Sequence, residues 1–234
     1  MESPDIRIRE LEARLMALLK LTPYDLELRG QQLRLFEVEN MEAMLDRLIA
    51  KGPDHEDVKD DRIPYWVDLW PSAIALAEYL ADRALVVPGM EVVELGCGMA
   101  VPGIMAGRLG ASVLLTDYLD EALDMAEWLW LLNMGRPARI RRIDWRSPDP
   151  DLRAALWMGS DIAYEERSVA PLAAAFGRWI RPGDTLILSE PGRPASQQLN
   201  EALEQRGFSR ETEFYPVARY GQTYRIAIHQ LVRT

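Results

Sequence analysis

The segment Val92-Val93-Glu94-Leu95-Gly96-Cys97-Gly98 constrains this chain more than any other. A short apolar run bounded by glycines reads as a strand buried on both faces. Glycines at its end permit a sharp turn and let a ligand approach the backbone closely. A helix over 104–109 follows, and the N-terminus of a helix there attracts anionic groups. Taken alone, the Gly-x-Gly pair fits a plain strand-to-helix turn equally well.

The surroundings give that turn its context. Strands expected over 91–95, 112–116, 138–143, 157–163 and 185–189 alternate with helices over 71–85, 104–109, 121–132, 169–180 and 195–206. Such alternation argues for an α/β, doubly wound, mostly parallel sheet covered on both faces. Two more strands, 213–218 and 224–232, join through Gly221 and complete seven with an antiparallel C-terminal edge. Residues 1–62 read as an accessory N-terminal region, and 63–234 as the main domain. The accessory part holds a helix with Ile8, Leu11, Leu15, Leu18 and Leu19 on one side, then a hairpin turning at Arg29-Gly30. A second helix over 41–50 leads to a charged connector ending in Asp60-Asp61.

Ligands of such sheets bind at the carboxyl ends of the strands, so the strand tips carry the functional information. A dinucleotide fingerprint needs a third glycine where Val101 stands, and a P-loop Gly-Lys-Ser/Thr is absent, which weighs against both NAD and ATP. Asp117 ends the second strand, 21 residues beyond Gly96, where a carboxylate can accept both hydroxyl protons of a ribose. A helix N-cap is the plainer role for it. Asp144-Trp145 follows the third strand, pairing an acceptor with a flat ring. Asp161-Ile162-Ala163-Tyr164 closes the fourth with a carboxylate and an aromatic.

The charge sum of −10 makes non-specific binding to nucleic acid unexpected. One cysteine, Cys97, excludes an internal disulfide and fits a reducing cytoplasm. His55 and His229 stand far apart in the sequence, so no metal site is expected. No run reaches the roughly 20 apolar residues of a membrane span, and a soluble cytoplasmic protein is expected.

The succession Glu-Leu-Gly-Cys-Gly, Thr-Asp-Tyr, Asp-Trp and Ser-Asp-Ile-Ala-Tyr resembles the seven-strand, Rossmann-like class I S-adenosylmethionine-dependent methyltransferases. Tyr65-Trp66-Val67-Asp68-Leu69-Trp70-Pro71-Ser72-Ala73 looks like a branch rich in protein-lysine methyltransferases. That branch includes the enzymes acting on valosin-containing protein and on the electron-transfer flavoprotein beta subunit. The resemblance covers about residues 63–234.

It implies S-adenosyl-L-methionine as cofactor, with Glu94, Gly96, Cys97 and Gly98 along its methionine half. Asp117 would hold the ribose, Tyr118 pack by the purine, Asp144 accept from the adenine amine with Trp145 alongside, and Trp70 cover the pocket. Asp161 and Tyr164 would face the methyl group as catalytic residues. Ala100 departs from the family, where a third glycine is common. The expected acceptor is a protein lysine; a small-molecule amine, or an inactive cofactor-binding scaffold working through protein contacts, are the alternatives. Aromatic walls from Tyr65, Trp66, Trp70 and Tyr164 would lower the pKa of an amine and attract its cationic form, although core packing would also account for Trp66. The acidic run 54–61 reads as a solvated loop or, alternatively, a docking strip for a basic protein.

Overall fold

A computed structural model describes residues 4–148 and 152–234. The central sheet has seven strands in the order β5-β4-β3-β6-β7-β9-β8. Its members are β3 (Glu91–Leu95), β4 (Ser112–Asp117), β5 (Arg139–Arg142), β6 (Leu156–Ser160), β7 (Thr185–Glu190), β8 (Phe208–Arg219) and β9 (Gln222–Arg233). The first five run parallel. β9 runs against the direction of the other strands, inserted antiparallel between β7 and β8, so it is interior and β8 is the edge. The order reverses at β3, whose neighbours are β4 and β6. The switch point therefore falls on the Gly96-Cys97-Gly98 turn.

Alternation along the strands divides the core in two. Val92, Met158 and Ile187 pack on the side of α4 (Pro71–Arg83), α5 (Val101–Arg108) and α6 (Asp120–Met134). Val93, Trp157, Leu186 and Leu188 face α7 (Glu166–Trp179) and α8 (Pro194–Glu204), where Trp157 and Trp179 stack at 5.5 Å. Side chains of period two thus feed both layers, which is why the strands read as unbroken apolar runs.

The N-terminal elements are α1 (Pro4–Met16), the hairpin β1 (Leu21–Leu28) and β2 (Gln31–Val38), α2 (Met41–Ala50) and the short α3 (Glu56–Lys59). α1 and the hairpin dock on α6: Arg7 pairs with Glu127, Asn133 bridges both backbone groups of Arg34, and Phe36 stacks on Trp128 at 4.3 Å. Leu11, Leu15, Leu33 and Leu35 belong to the same apolar cluster as the sheet.

Two strand ends lie three residues or more from the sequence expectation. β6 stops at Ser160 rather than 163 because Asp161 turns left-handed, with φ 52°. β8 begins at Phe208 instead of 213. Its first stretch, Ser209-Arg210-Glu211-Thr212, is charged and exposed, as suits an edge strand guarded against further pairing, and this hides the strand pattern.

Candidate functional site

Above β3 the chain passes through three left-handed residues in quick succession: Gly96 (φ 60°), Gly98 (47°) and Ala100 (54°). Alanine there carries the strain of about 1–2 kcal/mol that a glycine avoids. The turn also makes room for a neighbour. A Cβ on Gly96 would stand 2.9 Å from Ile162 Cγ2, and one on Gly159 would stand 2.7 Å from Ile162 Cδ1. A glycine just past β3 and another within β6 therefore let Ile162, in the loop after β6, pack against the turn after β3.

Asp117, at the tip of β4, is buried and collects backbone N–H groups. Oδ1 accepts from Tyr118 at 2.8 Å and Leu119 at 3.2 Å, while Oδ2 accepts from Gly98 at 3.3 Å. Burial lifts its pKa to about 6 despite these bonds. Against an ordinary carboxylate this is about 3 kcal/mol of electrostatic cost. Such a cost is tolerated where a group serves a purpose other than stability. Tyr118 beside it is raised to about 12, chiefly by burial.

At the tip of β6, the Asp161 amide donates to the Ser189 carbonyl at 2.8 Å, and the carboxylate is clasped by Arg193. Arg193 in turn follows Glu190, whose Oε2 accepts from the Gly192 and Arg193 amides. Glu190 Oε1 lies 3.2 Å from His229 Nε2, and His229 Nδ1 lies 2.9 Å from Thr212. The loop after β7 is thus tied to β9 and β8 before it reaches across to Asp161.

The opposite wall is the segment preceding α4. Tyr65–Val67 form one 3₁₀ turn, and Trp70 returns its Nε1–H to the Tyr65 carbonyl at 2.9 Å. The Tyr65 ring meets Trp70 and Tyr164 edge-on, at 5.8 and 5.5 Å. Pro71, at the first turn of α4, fixes where this wall ends.

These pieces enclose a cavity of about 410 Å³. Gly96, Cys97 and Gly98 line it from β3, Asp117 and Tyr118 from β4, and Trp145 from beyond β5. Asp161 and Tyr164 line it from beyond β6, with Trp70 from the preceding wall. Glu94 and Asp144 are not on that lining. Glu94 lies fully buried behind it, against the first turn of α5, where a Cβ on Gly103 would stand 2.4 Å from Oε2. Burial holds its carboxyl well above the usual range, only partly countered by the Gly103 N–H. Asp144 turns to Arg146, which donates to it through its backbone and guanidinium; burial acts to raise the Asp144 pKa, but these bonds outweigh it and keep the group low. Arg146 also pairs with Asp60 and stands 5.7 Å from the Tyr118 ring.

Cys97 is buried and its thiol is pushed well up, so it is no nucleophile. The connector acids are largely spoken for: Asp57 by Lys51 and Arg62, Asp60 by Arg62 and Arg146, Asp61 by Arg167. Among the described residues, no group of three His, Cys, Asp or Glu side chains could hold a metal, and no helix is long and apolar enough to cross a membrane.

A family model described as lysine methyltransferase matches residues 59–202. This chain belongs to the lysine methyltransferase family. Among its relatives, the mouse electron transfer flavoprotein beta subunit lysine methyltransferase is 31% identical over 137 residues, 56% of this chain and 52% of that one. The rat histone-arginine methyltransferase METTL23 is 30% identical over 118 residues, 48% of this chain and 52% of its own. The chain thus spans about half the length of these relatives. In fold it is similar to the magnesium protoporphyrin IX methyltransferase of Synechocystis solved with bound SAM. That match has a TM-score of 0.56 at 18% identity, covering 84% of this chain and 92% of the other.

Within this family member, Arg193 lines the cavity and Arg146, off the lining, takes the Asp144 carboxylate; sequence reasoning missed both. Arg193 follows Glu190-Pro191-Gly192 at the fifth strand tip. The rule that singled out Asp117, Asp144 and Asp161 would have reached it had it been carried one strand further. Arg146 carried no such signal, because an arginine in a polar loop is ordinary.

Proposed function

We propose that this protein is an S-adenosylmethionine-dependent N-methyltransferase acting on a lysine side chain of a protein. One observation carries the reading. Tips of successive parallel strands, in a chain of the lysine methyltransferase family, bring a buried carboxylate, flat rings and an aromatic gate to one cavity. About 410 Å³ lies within the usual 300–1,000 Å³ range for small-molecule sites. The residues also fit the cofactor: Asp117, with one acceptor site left on Oδ2 beyond its three backbone N–H bonds, for a ribose hydroxyl, Trp145 and Tyr118 for a purine, and the open backbone at Gly96 and Gly98 for the methionine half. Glu94 sits buried against the first turn of α5, off the lining. Asp144 reaches an adenine amine only if Arg146 shares it.

The bound cofactor would supply an electrophilic methyl group on a sulfonium. The rest falls to the chain's own residues. Methyl transfer needs a neutral amine held in line and shielded from water. Tyr65, Trp70 and Tyr164 form an edge-to-face aromatic corner at the cavity that holds the alkyl stem and favours loss of the ammonium proton. Asp161 keeps one lone pair free on each oxygen beyond those given to Arg193, enough to orient an amine N–H. Arginine is the acceptor named for one group of relatives; its guanidinium would have to share Asp161 with Arg193, and the same mass spectrometry tells the two acceptors apart.

A reducing, cytoplasmic setting suits the single free thiol, Cys97. The test is calorimetric titration with S-adenosylmethionine, followed by incubation with cell lysate. The expected results are saturable binding and S-adenosylhomocysteine release, with mass spectrometry locating the methyl groups on lysine. Absence of cofactor binding would falsify the reading.

A further inference from the structure

A second cavity, of about 420 Å³, lies between the β1–β2 hairpin, residues 67–69 and the tip of the β8–β9 hairpin. Its position follows from register. β7 pairs with β9 only as far as Glu190↔Ala227, so Gln222–Ile226 and their β8 partners run on past the carboxyl edge of the sheet. Phe36, Val38 and Met41 supply one apolar wall, Val67 and Leu69 the other. Asp68 and Leu69 line both cavities, so a single turn of chain separates the two.

Two polar groups on this second wall are unanswered. The Tyr24 hydroxyl and the Arg219 Nε–H are buried and neither makes a well-formed hydrogen bond. Burial raises the Tyr24 pKa, and the two groups face each other closely enough for the guanidinium to pull it partly back down. The remainder of Arg219 is occupied: its guanidinium stands 4.4 Å over the Tyr220 ring, and Nη2 lies 3.4 Å from Asp68. Asp68 also accepts from the Tyr220 hydroxyl at 2.6 Å. Buried donors without acceptors are costly, and an incoming acceptor relieves them.

The occupant must bring acceptor oxygens and apolar surface together. An extended polypeptide does so, its carbonyls meeting Tyr24 and Arg219 while a side chain fills the apolar walls. A free amine brings donors only: Glu37 and Asp68 on the lining would attract its charge, but Tyr24 and Arg219 would still lack acceptors. We propose that this cavity is a subsite for the acceptor protein, holding an apolar side chain and a backbone carbonyl of the residues that flank the methylated lysine. The proposal rests on the reading of the first cavity as a protein-lysine methylation site, and Asp68–Leu69 is the sill between subsite and chemistry.

Randomised nine-residue peptides with a central lysine, equilibrated with the full chain and S-adenosylhomocysteine, test it. The bound fraction is sequenced by mass spectrometry. The expected result is at least fivefold enrichment of Leu, Ile, Met or Phe at one fixed distance from the lysine. Met41→Trp, which fills the second cavity and lies off the first, should abolish that enrichment while leaving S-adenosylhomocysteine affinity within twofold. Tyr24→Phe keeps the ring and removes only the unanswered hydroxyl; it should weaken the enriched peptide three- to tenfold, whereas a purely structural hydroxyl would leave binding unchanged. A flat peptide composition, or enrichment that persists in Met41→Trp, overturns the proposal. Failure of the wild type to bind S-adenosylhomocysteine is read in a separate titration and would bring down the methyltransferase reading with it.

Discussion

Arg193 grips Asp161 with two parallel hydrogen bonds, Nε to Oδ1 at 2.6 Å and Nη2 to Oδ2 at 2.8 Å. The carboxylate is nearly buried, at 7% exposure, and the guanidinium is about one-third exposed. A fork of this kind fixes the plane of the acid, which a lysine ammonium cannot do. Arg193→Met should strand the Asp161 charge and cost about 2–3 kcal/mol of stability, discounted from the fully buried case for exposure of the arginine. Arg193→Lys should recover most of that stability but not turnover. Chemical denaturation and methyl-transfer assays of the two variants separate the effects; full turnover in Arg193→Lys would show that the plane of Asp161 is immaterial.

Asp117 links cofactor affinity to pH. With a pKa of about 6 it is charged at neutrality and loses its charge as pH falls towards 5. A protonated acid accepts less well from a ribose hydroxyl, so S-adenosylmethionine should bind more weakly at pH 5 than at pH 7.5. Asp117→Ala should weaken binding by about 1–3 kcal/mol, and Asp117→Asn should flatten the pH profile. For folding the direction reverses. The folded pKa lies above the unfolded value, so this group favours the folded state most below about pH 4 and progressively less as pH rises through 6. Asp117→Asn sets an NH2 against one of the backbone N–H donors, and the expected result is therefore a melting temperature that improves relative to wild type from pH 5 to pH 8 without ligand. Calorimetry across pH measures both, and a flat wild-type affinity profile would detach Asp117 from the ribose.

Ala100 occupies a left-handed conformation that glycine adopts freely. Ala100→Gly should relieve about 1 kcal/mol of strain, partly offset by the greater freedom of the unfolded chain. The expected shift is a rise in Tm of about 2 °C, seen by differential scanning calorimetry. A fall in Tm would mean that the Ala100 methyl packs for more than its strain costs.

Tyr164 stands at the mouth of the cavity, 36% exposed, its hydroxyl pKa raised chiefly by burial of that group. It should therefore remain neutral and act as a wall. Tyr164→Ala should lower turnover at least tenfold and shift cofactor affinity by less than threefold. Tyr164→Phe should retain most activity. Equal losses in turnover and affinity for the alanine variant would move Tyr164 to the cofactor side.

Much of this was legible in the one-dimensional pattern because local rules govern it. Unbroken apolar runs ending in Gly or Asp marked the parallel strands, since a doubly covered sheet buries both faces. The rule that ligands sit at strand tips then picked out Asp117, Trp145, Asp161 and Tyr164 before any coordinate. Pairings were not legible. That Arg193 would take Asp161, that Arg146 would take Asp144, and that Glu94 would lie behind the wall depend on which tips become neighbours. The insertion of β9 between β7 and β8 was also hidden, because either order satisfies the same alternation. Composition and spacing determined which residues reach the carboxyl edge; only the tertiary arrangement decided which of their charges stay free to meet a ligand, because a charge is neutralised by its neighbour in space rather than along the chain.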